Sequence, residues 1–235
     1  MELSYNLRLF KEIFFPRLCA VCHQEIDTGL VCSSCRKGHT LQKVVLYGAG
    51  QASWQRLCQQ GQPLVIADVL DRSEYLYRYD GAFKEALHGL KFAAQSELLT
   101  LLKEEAELGL KDKKQQLLRH YDYVTCVPTS PERRKERGFD VPEKIFASLQ
   151  PQTLLQRVKG TAPLFTMAAE ERRTELLGCF KMLPGADVKS KRVLLCDDIY
   201  TTGSTMQEAA CVLLAAGAKA VGALTLCASK DNWDV

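Results

Sequence analysis

A chain of 235 residues, 46% hydrophobic and 25% charged, is long enough for one full domain with a small appendage and can bury a core without disulfides. Its net charge of +3 is too small to demand a nucleic-acid partner, although it leaves room for a local basic face. No run of 18 apolar residues occurs, which excludes a spanning helix, and Glu2, Arg8, Lys11 and Glu12 interrupt any signal-peptide core, so a cytoplasmic chain with reduced cysteines is expected.

The opening segment reads as an amphipathic helix with Leu3, Leu7, Phe10 and Phe14 on one face, docked either on the body or on a partner or membrane surface. Pro16 ends it. Four cysteines follow, Cys19, Cys22, Cys32 and Cys35, as two CxxC pairs separated by nine residues. Each pair places two sulfurs on one turn, and two such turns can close a tetrahedral shell around Zn²⁺. Asp27-Thr28-Gly29 supplies the reversal between them. So short a segment has almost no core of its own, so a structural Zn²⁺ would supply its folding energy. Its use stays open between a structural clip and a docking surface for protein or single-stranded nucleic acid; Arg17, His23, Arg36, Lys37 and His39 make it mildly basic. Cys58, Cys126, Cys179, Cys196, Cys211 and Cys227 read as small buried hydrophobes.

A strand-like KVVLYG and a short helix over Ser53–Gln60 form a connector. Alternating Tyr75, Tyr77 and Tyr79 predict a strand, and helical patterns cover Ala82–Phe92 and Glu97–Arg119. DYVTCV is a short apolar strand that ends at Pro128, TSPERRKERG a loop, and Val141–Leu149 a helix. RVLLCD (192–197) is a strand, Thr205–Ala216 a helix stopped by Gly217, and KAVGALTLCA a final strand. Alternating strands and helices predict an α/β fold, a mostly parallel sheet flanked by helices with a small N-terminal zinc-binding extension. The divisions expected are 1–45 (helix and Cys₄ knuckle), 46–74 (connector) and 75–235 (the α/β domain).

The most informative text is VLLCDDIYTTGST (193–205), where an apolar strand runs into two carboxylates, a ring of small hydroxyls and then a helix. Gly203 permits a tight turn, and successive backbone N–H groups, the helix N-terminus and the hydroxyls of Thr201, Thr202, Ser204 and Thr205 suit a phosphate. Asp197 and Asp198 suit vicinal hydroxyls of a ribose, or Mg²⁺ through water. A sugar phosphate meets both demands at the carboxyl end of a strand, where open α/β sheets bind ligands. A mere helix cap needs one hydroxyl residue, not four beside paired aspartates. There is no G-x-x-x-x-G-K-[ST], and Gly48-Ala49-Gly50 stops halfway through a dinucleotide motif. Arg133, Arg134, Lys135 and Arg137 follow another strand end and can hold a diphosphate or DNA phosphates, unless Glu132 and Glu136 dilute them into an ordinary solvated surface.

VLLCDDIYTTGST resembles the signature of type I phosphoribosyltransferases that binds phosphoribosyl pyrophosphate (PRPP). Together with YRYDGAFKEALHGLKF (77–92), VPTSPERRKERGFD (127–140), ERRTELLGCF (171–180) and the Cys₄ knuckle, it resembles the ComF family, specifically the ComFC proteins of bacterial DNA uptake, over nearly the whole chain. The resemblance implies Asp197 and Asp198 on ribose hydroxyls, Thr201, Thr202, Gly203, Ser204 and Thr205 on the 5′-phosphate, and Lys91, Arg134 and Arg137 near pyrophosphate or DNA. It implies a role in natural transformation beside a ComFA-type helicase and single-stranded DNA, at the inner face of the membrane without stable insertion, with Mg²⁺ accompanying PRPP. Four polar positions of the family pattern are altered: RGFNQ is RGFDV here, with Asp140 and Val141, a glutamine is Leu164 and an asparagine is Glu175. These changes favour binding over catalysis. A phosphoribosyltransferase with an unidentified acceptor, and a zinc interaction module with a relic sugar-phosphate domain, are the competing readings.

Overall fold

A computed structural model describes residues 16–46, 69–92, 97–159 and 178–233. The expected N-terminal amphipathic helix, the helix over Ser53–Gln60, Cys58, Leu164 and Glu175 lie outside the described residues. In chain order the elements are α1 (Ser33–His39), β1 (Thr40–Leu46), β2 (Arg72–Arg78), α2 (Gly81–Phe92), α3 (Glu97–Leu110), α4 (Lys114–His120), β3 (Tyr123–Cys126), α5 (Pro131–Arg137), α6 (Val141–Ile145), β4 (Leu155–Arg157), β5 (Phe180–Met182), β6 (Arg192–Tyr200), α7 (Ser204–Ala215) and β7 (Ala220–Ala228).

The main sheet has the order β1-β2-β7-β6-β3. Its β2–β7, β7–β6 and β6–β3 pairs are parallel, and only the β1 edge is antiparallel. The apolar strands feed two cores because successive side chains leave opposite faces. Leu194 and Leu224 join Phe83, Leu87, Leu102 and Ile145 on one side; Val193, Leu195 and Val221 join Met206, Ala209 and Leu213 on the other. Cys179, Cys196, Cys211 and Cys227 are buried and Cys126 is half-buried. The small β4–β5 hairpin continues past the free side of β3, where Gln152 N donates to Val124 O at 2.8 Å.

Four expected boundaries shift. The helix read over Glu97–Arg119 is broken into α3 and α4 by a turn at 111–113, where Lys113 N bonds Leu110 O three residues back. The stretch TSPERRKERG holds a helix, α5, rather than a plain loop. Ser130 caps its start by accepting from Arg133 N, Pro131 follows the cap, and Gly138 ends it at φ +79° with its N–H on Arg134 O. β6 extends three residues beyond Asp197, because Ile199 and Tyr200 still pair with Cys227 and Ala228. β1 begins at Thr40, so the division drawn at residue 45 falls inside a strand of the main sheet.

The cysteine-rich segment is not a coreless appendage: Cys19, Leu30 and Val31 are buried in the same cluster as Leu102 and Phe83. The joint is a fully buried carboxylate. Glu105 of α3 accepts from Leu30 N (2.8 Å), Val31 N (3.2 Å) and both Arg36 Nε (2.7 Å) and Arg36 Nη2 (2.9 Å). Its neighbour Glu104 accepts from Gly29 N at 2.6 Å and from the exposed Arg17. Glu105→Ala strands a guanidinium and two buried amides and is expected to cost about 3–5 kcal/mol. Urea unfolding at neutral pH checks this; a loss below about 1 kcal/mol would mean that the knuckle docks by apolar packing alone.

Candidate functional site

β6 delivers Asp197 and Asp198 near its carboxyl end and passes into the turn that starts α7. Gly203, at φ +74°, occupies the N-cap position of α7, and no side chain caps that helix. A side chain there would collide with the Tyr200 phenol, whose ring leans on Tyr75 with centroids 5.0 Å apart. Thr201 and Thr202 are exposed, and the Thr202 and Ser204 hydroxyls bond each other at 2.8 Å. Among the described residues the amides of Thr202, Gly203 and Thr205 reach no acceptor. The turn is held from behind: Asn232 Nδ2 donates to Thr201 O at 2.7 Å, and Ser229 N to Tyr200 O at 2.9 Å. Uncommitted N–H groups at the positive end of a helix, ringed by hydroxyls, form a ready anion cradle.

The two aspartates take different environments because adjacent strand residues face opposite sides. Asp198 is buried and pairs with Lys91 Nζ at 2.7 Å. Lys91 sits in the last turn of α2, where its own carbonyl accepts from Arg137 Nε at 3.2 Å. Asp197 accepts from the Asp198 amide at 2.9 Å. Burial, and then the Asp198 charge, push the Asp197 carboxyl up to about 8, with Lys91 and Arg157 drawing it only partway back. At neutral pH the pair therefore holds a proton that a cation would displace.

Lys91, Arg137 and Asp198 are thus brought together, while Arg134 stands apart from them. Arg134 is largely exposed, with Nη1 3.6 Å from Asp140 Oδ2, and Asp140 Oδ1 accepts from Thr129 N at 2.8 Å. Asp140 therefore keeps the amide contact that an asparagine would make there and adds a charge for Arg134. Arg134, Thr129, Asp140, Glu143, Gln156 and Arg157 line a cavity of about 330 Å³ between the loop after β3 and the β4–β5 hairpin. Arg157 had no sequence signal, since QRVKG carries no motif. Its guanidinium lies 5.5 Å from the Phe180 ring, and burial lowers its pKa.

The four knuckle sulfurs lie within 4.8 Å of one another. Cys22 and Cys32 are 3.7 Å apart, close to the edge of about 3.8 Å expected of a tetrahedron with 2.3 Å metal–sulfur bonds and far from a disulfide. Cys32 N and Cys35 N donate to Cys19 Sγ and Cys32 Sγ at 3.3 and 3.4 Å. Burial opposes ionisation of Cys19, yet the amides of Cys22, Cys32 and Val21 hold it near 6, while its neighbours Cys22 and Cys32 push Cys35 up to about 12. Four thiols competing this way lack a positive charge, and a divalent soft-tolerant cation fits. No helix among the described residues is long and apolar enough to cross a membrane.

A family profile described as "Phosphoribosyl transferase domain" matches residues 150–235, which include β6, the turn and α7. The chain is 26% identical over 223 residues to the DNA utilization protein YhgH of Escherichia coli K12, covering 90% of this chain and 97% of that one. It is 25% identical over 221 residues to the competence protein ComFC of Bacillus subtilis, covering 89% and 83%. It is 31% identical over 153 residues to the ComFC of Streptococcus pneumoniae, covering 64% and 66%.

The raised Asp197 carboxyl gives a signed pH effect. An acid whose folded pKa (about 8) exceeds its ordinary 3.8 costs nothing below pH 4, costs progressively more between the two values, and its full amount above 8. Asp197→Asn is therefore expected to stabilise the ligand-free protein by on the order of 1–2 kcal/mol at pH 9 and by almost nothing at pH 4.5. Denaturant melts at the two pH values decide it; equal effects at both would contradict the raised carboxyl.

Proposed function

The chain belongs to the ComFC-type family, with a phosphoribosyltransferase domain, and on that basis we propose that it binds PRPP or a closely related sugar phosphate in the service of DNA uptake. One observation carries the reading: β6 brings two carboxylates beside a turn whose Thr202, Gly203 and Thr205 amides are uncommitted. The 5′-phosphate takes those amides and the hydroxyls of Thr201, Thr202, Ser204 and Thr205. The ribose hydroxyls take Asp197 and Asp198. Lys91, paired with Asp198, and Arg137, bonded to the Lys91 carbonyl, supply charge for the pyrophosphate end, and Arg134 and Arg157 add to it from the cavity wall. Mg²⁺ bound with PRPP would neutralise diphosphate charge, and Asp197 is the residue poised to release a proton in exchange.

The knuckle residues Cys19, Cys22, Cys32 and Cys35 hold a structural Zn²⁺, which ties two turns into one unit. Single-stranded DNA and a ComFA-type helicase are the partners, a reading supported by relatives named for competence and DNA utilization. Transfer of the phosphoribosyl group to an acceptor is the second reading. The cavity of about 330 Å³ lined by Thr129, Asp140 and Gln156 favours it, since an acceptor needs room of its own.

Calorimetric titration with PRPP and Mg²⁺ is expected to show binding that Asp197→Asn/Asp198→Asn weakens at least about tenfold, or roughly 1.4 kcal/mol. No heat with the native protein, or equal affinity in the double variant, defeats the reading. For the knuckle, metal analysis is expected to give one zinc per chain, lost in Cys19→Ser. Affinity for an oligothymidylate is expected to fall steeply as salt rises.

A further inference from the structure

The thiolate cluster and the acid pair lie at opposite ends of one continuous structural path. Cys32 caps α1, its sulfur accepting from Cys35 N, and Cys35 lies in the first turn, so two of the four sulfurs set where α1 points. The last residue of α1 is His39, whose Nδ1–H donates to Asp80 Oδ1 at 2.8 Å. The imidazole also tilts against Phe83, with centroids 5.9 Å apart. It fills the space beside Gly81, where a Cβ would come within 3.2 Å of His39 Cε1. His39 thus clamps the first residues of α2 by a hydrogen bond, a ring contact and a steric fit. α2 then runs from Gly81 to Lys91, about 15 Å at 1.5 Å per residue, and so to the 2.7 Å pair with Asp198. Both ends of the path are fixed from the side as well: Arg36 is locked on Glu105, and Arg137 bonds the Lys91 carbonyl.

We propose that His39 is a positioning residue for the acid pair: through Asp80 and α2 the cysteine knuckle sets the placement of Lys91 against Asp198, so that metal occupancy governs sugar-phosphate affinity without contact with the ligand. A helix is a stiff element, and a displacement at its start is carried along its axis to its end. The knuckle is then a part of the binding site that touches no ligand. The ligand arm of the test rests on the PRPP reading; the exchange arm does not.

The full-length metal-loaded protein is compared with His39→Ala, His39→Asn (which keeps an N–H near the Nδ1 position) and Arg17→Ala, a control on the exposed edge of the knuckle. Hydrogen exchange is followed over residues 193–206, and PRPP–Mg²⁺ affinity by calorimetry, each with and without Lys91→Met. Exchange over 193–206 is expected to quicken in His39→Ala and on metal removal, and to return to native values in His39→Asn. Arg17→Ala leaves it unchanged. PRPP affinity is expected to fall about five- to tenfold in His39→Ala, and this loss should vanish when Lys91 is already Met. Faster exchange confined to residues 17–46, or a His39→Ala loss that is the same in both Lys91 backgrounds, overturns the inference. Absence of PRPP binding by the native protein overturns the sugar-phosphate reading instead and leaves the exchange result to decide this one.

Discussion

The body and the cysteine knuckle meet on one buried carboxylate. Glu105 gathers two backbone amides and a guanidinium, and the apolar contacts of Cys19, Leu30 and Val31 close over it. Such a joint is intolerant, because a buried charge is stable only with its partners in place. It fixes α1 against α3, and through α1 it bears on the start of α2. A segment with too little apolar surface to fold alone thereby becomes part of the main core, and the four clustered cysteines inherit the rigidity of α3, a helix they do not belong to.

At the acid pair the chain tolerates a cost. Asp197, near the end of a strand and beside a second carboxylate, has its carboxyl raised to about 8 and destabilises the empty protein. The turn beyond them leaves amides uncommitted, which a protein shaped only for stability would satisfy. Both features are relieved by one kind of ligand, with hydroxyls or a cation at the acids and a phosphate at the turn. The coincidence of two unmet demands within a few residues argues for a site more strongly than either does separately.

Much of this was legible in the amino-acid text. The apolar run VLLC and the hydroxyl-rich turn announced a strand, a tight turn and a helix, and CxxC spacing announced the sulfur cluster, because each depends on local geometry. Helix α5 was legible too, in Ser130, Pro131 and Gly138, but its density of charge reads first as a loop. Other features were not available. Glu104-Glu105 looks like the exposed face of an amphipathic helix until the knuckle is laid across it 75 residues away in sequence. Arg157 gains its place only when the β4–β5 hairpin brings it to the cavity. Lys91 was marked by family likeness, whereas its partner Asp198 was marked by the turn, and only tertiary structure joins them.

The strand order carries a consequence for how the chain is made. β2 lies between β1, its near neighbour in sequence, and β7, with Arg72 opposite Gly222. Emerging from the ribosome, β2 acquires one hydrogen-bonded side early and waits through about 150 further residues for the other. Contacts so remote in sequence slow folding and leave a bare strand edge open to wrong pairing. The knuckle and α3, complete long before β7 exists, already share a core cluster with Leu76 and Tyr77 of β2 and cover the nascent half from one flank; a metal held by the four cysteines would then bear on folding yield during synthesis as well as on the finished protein.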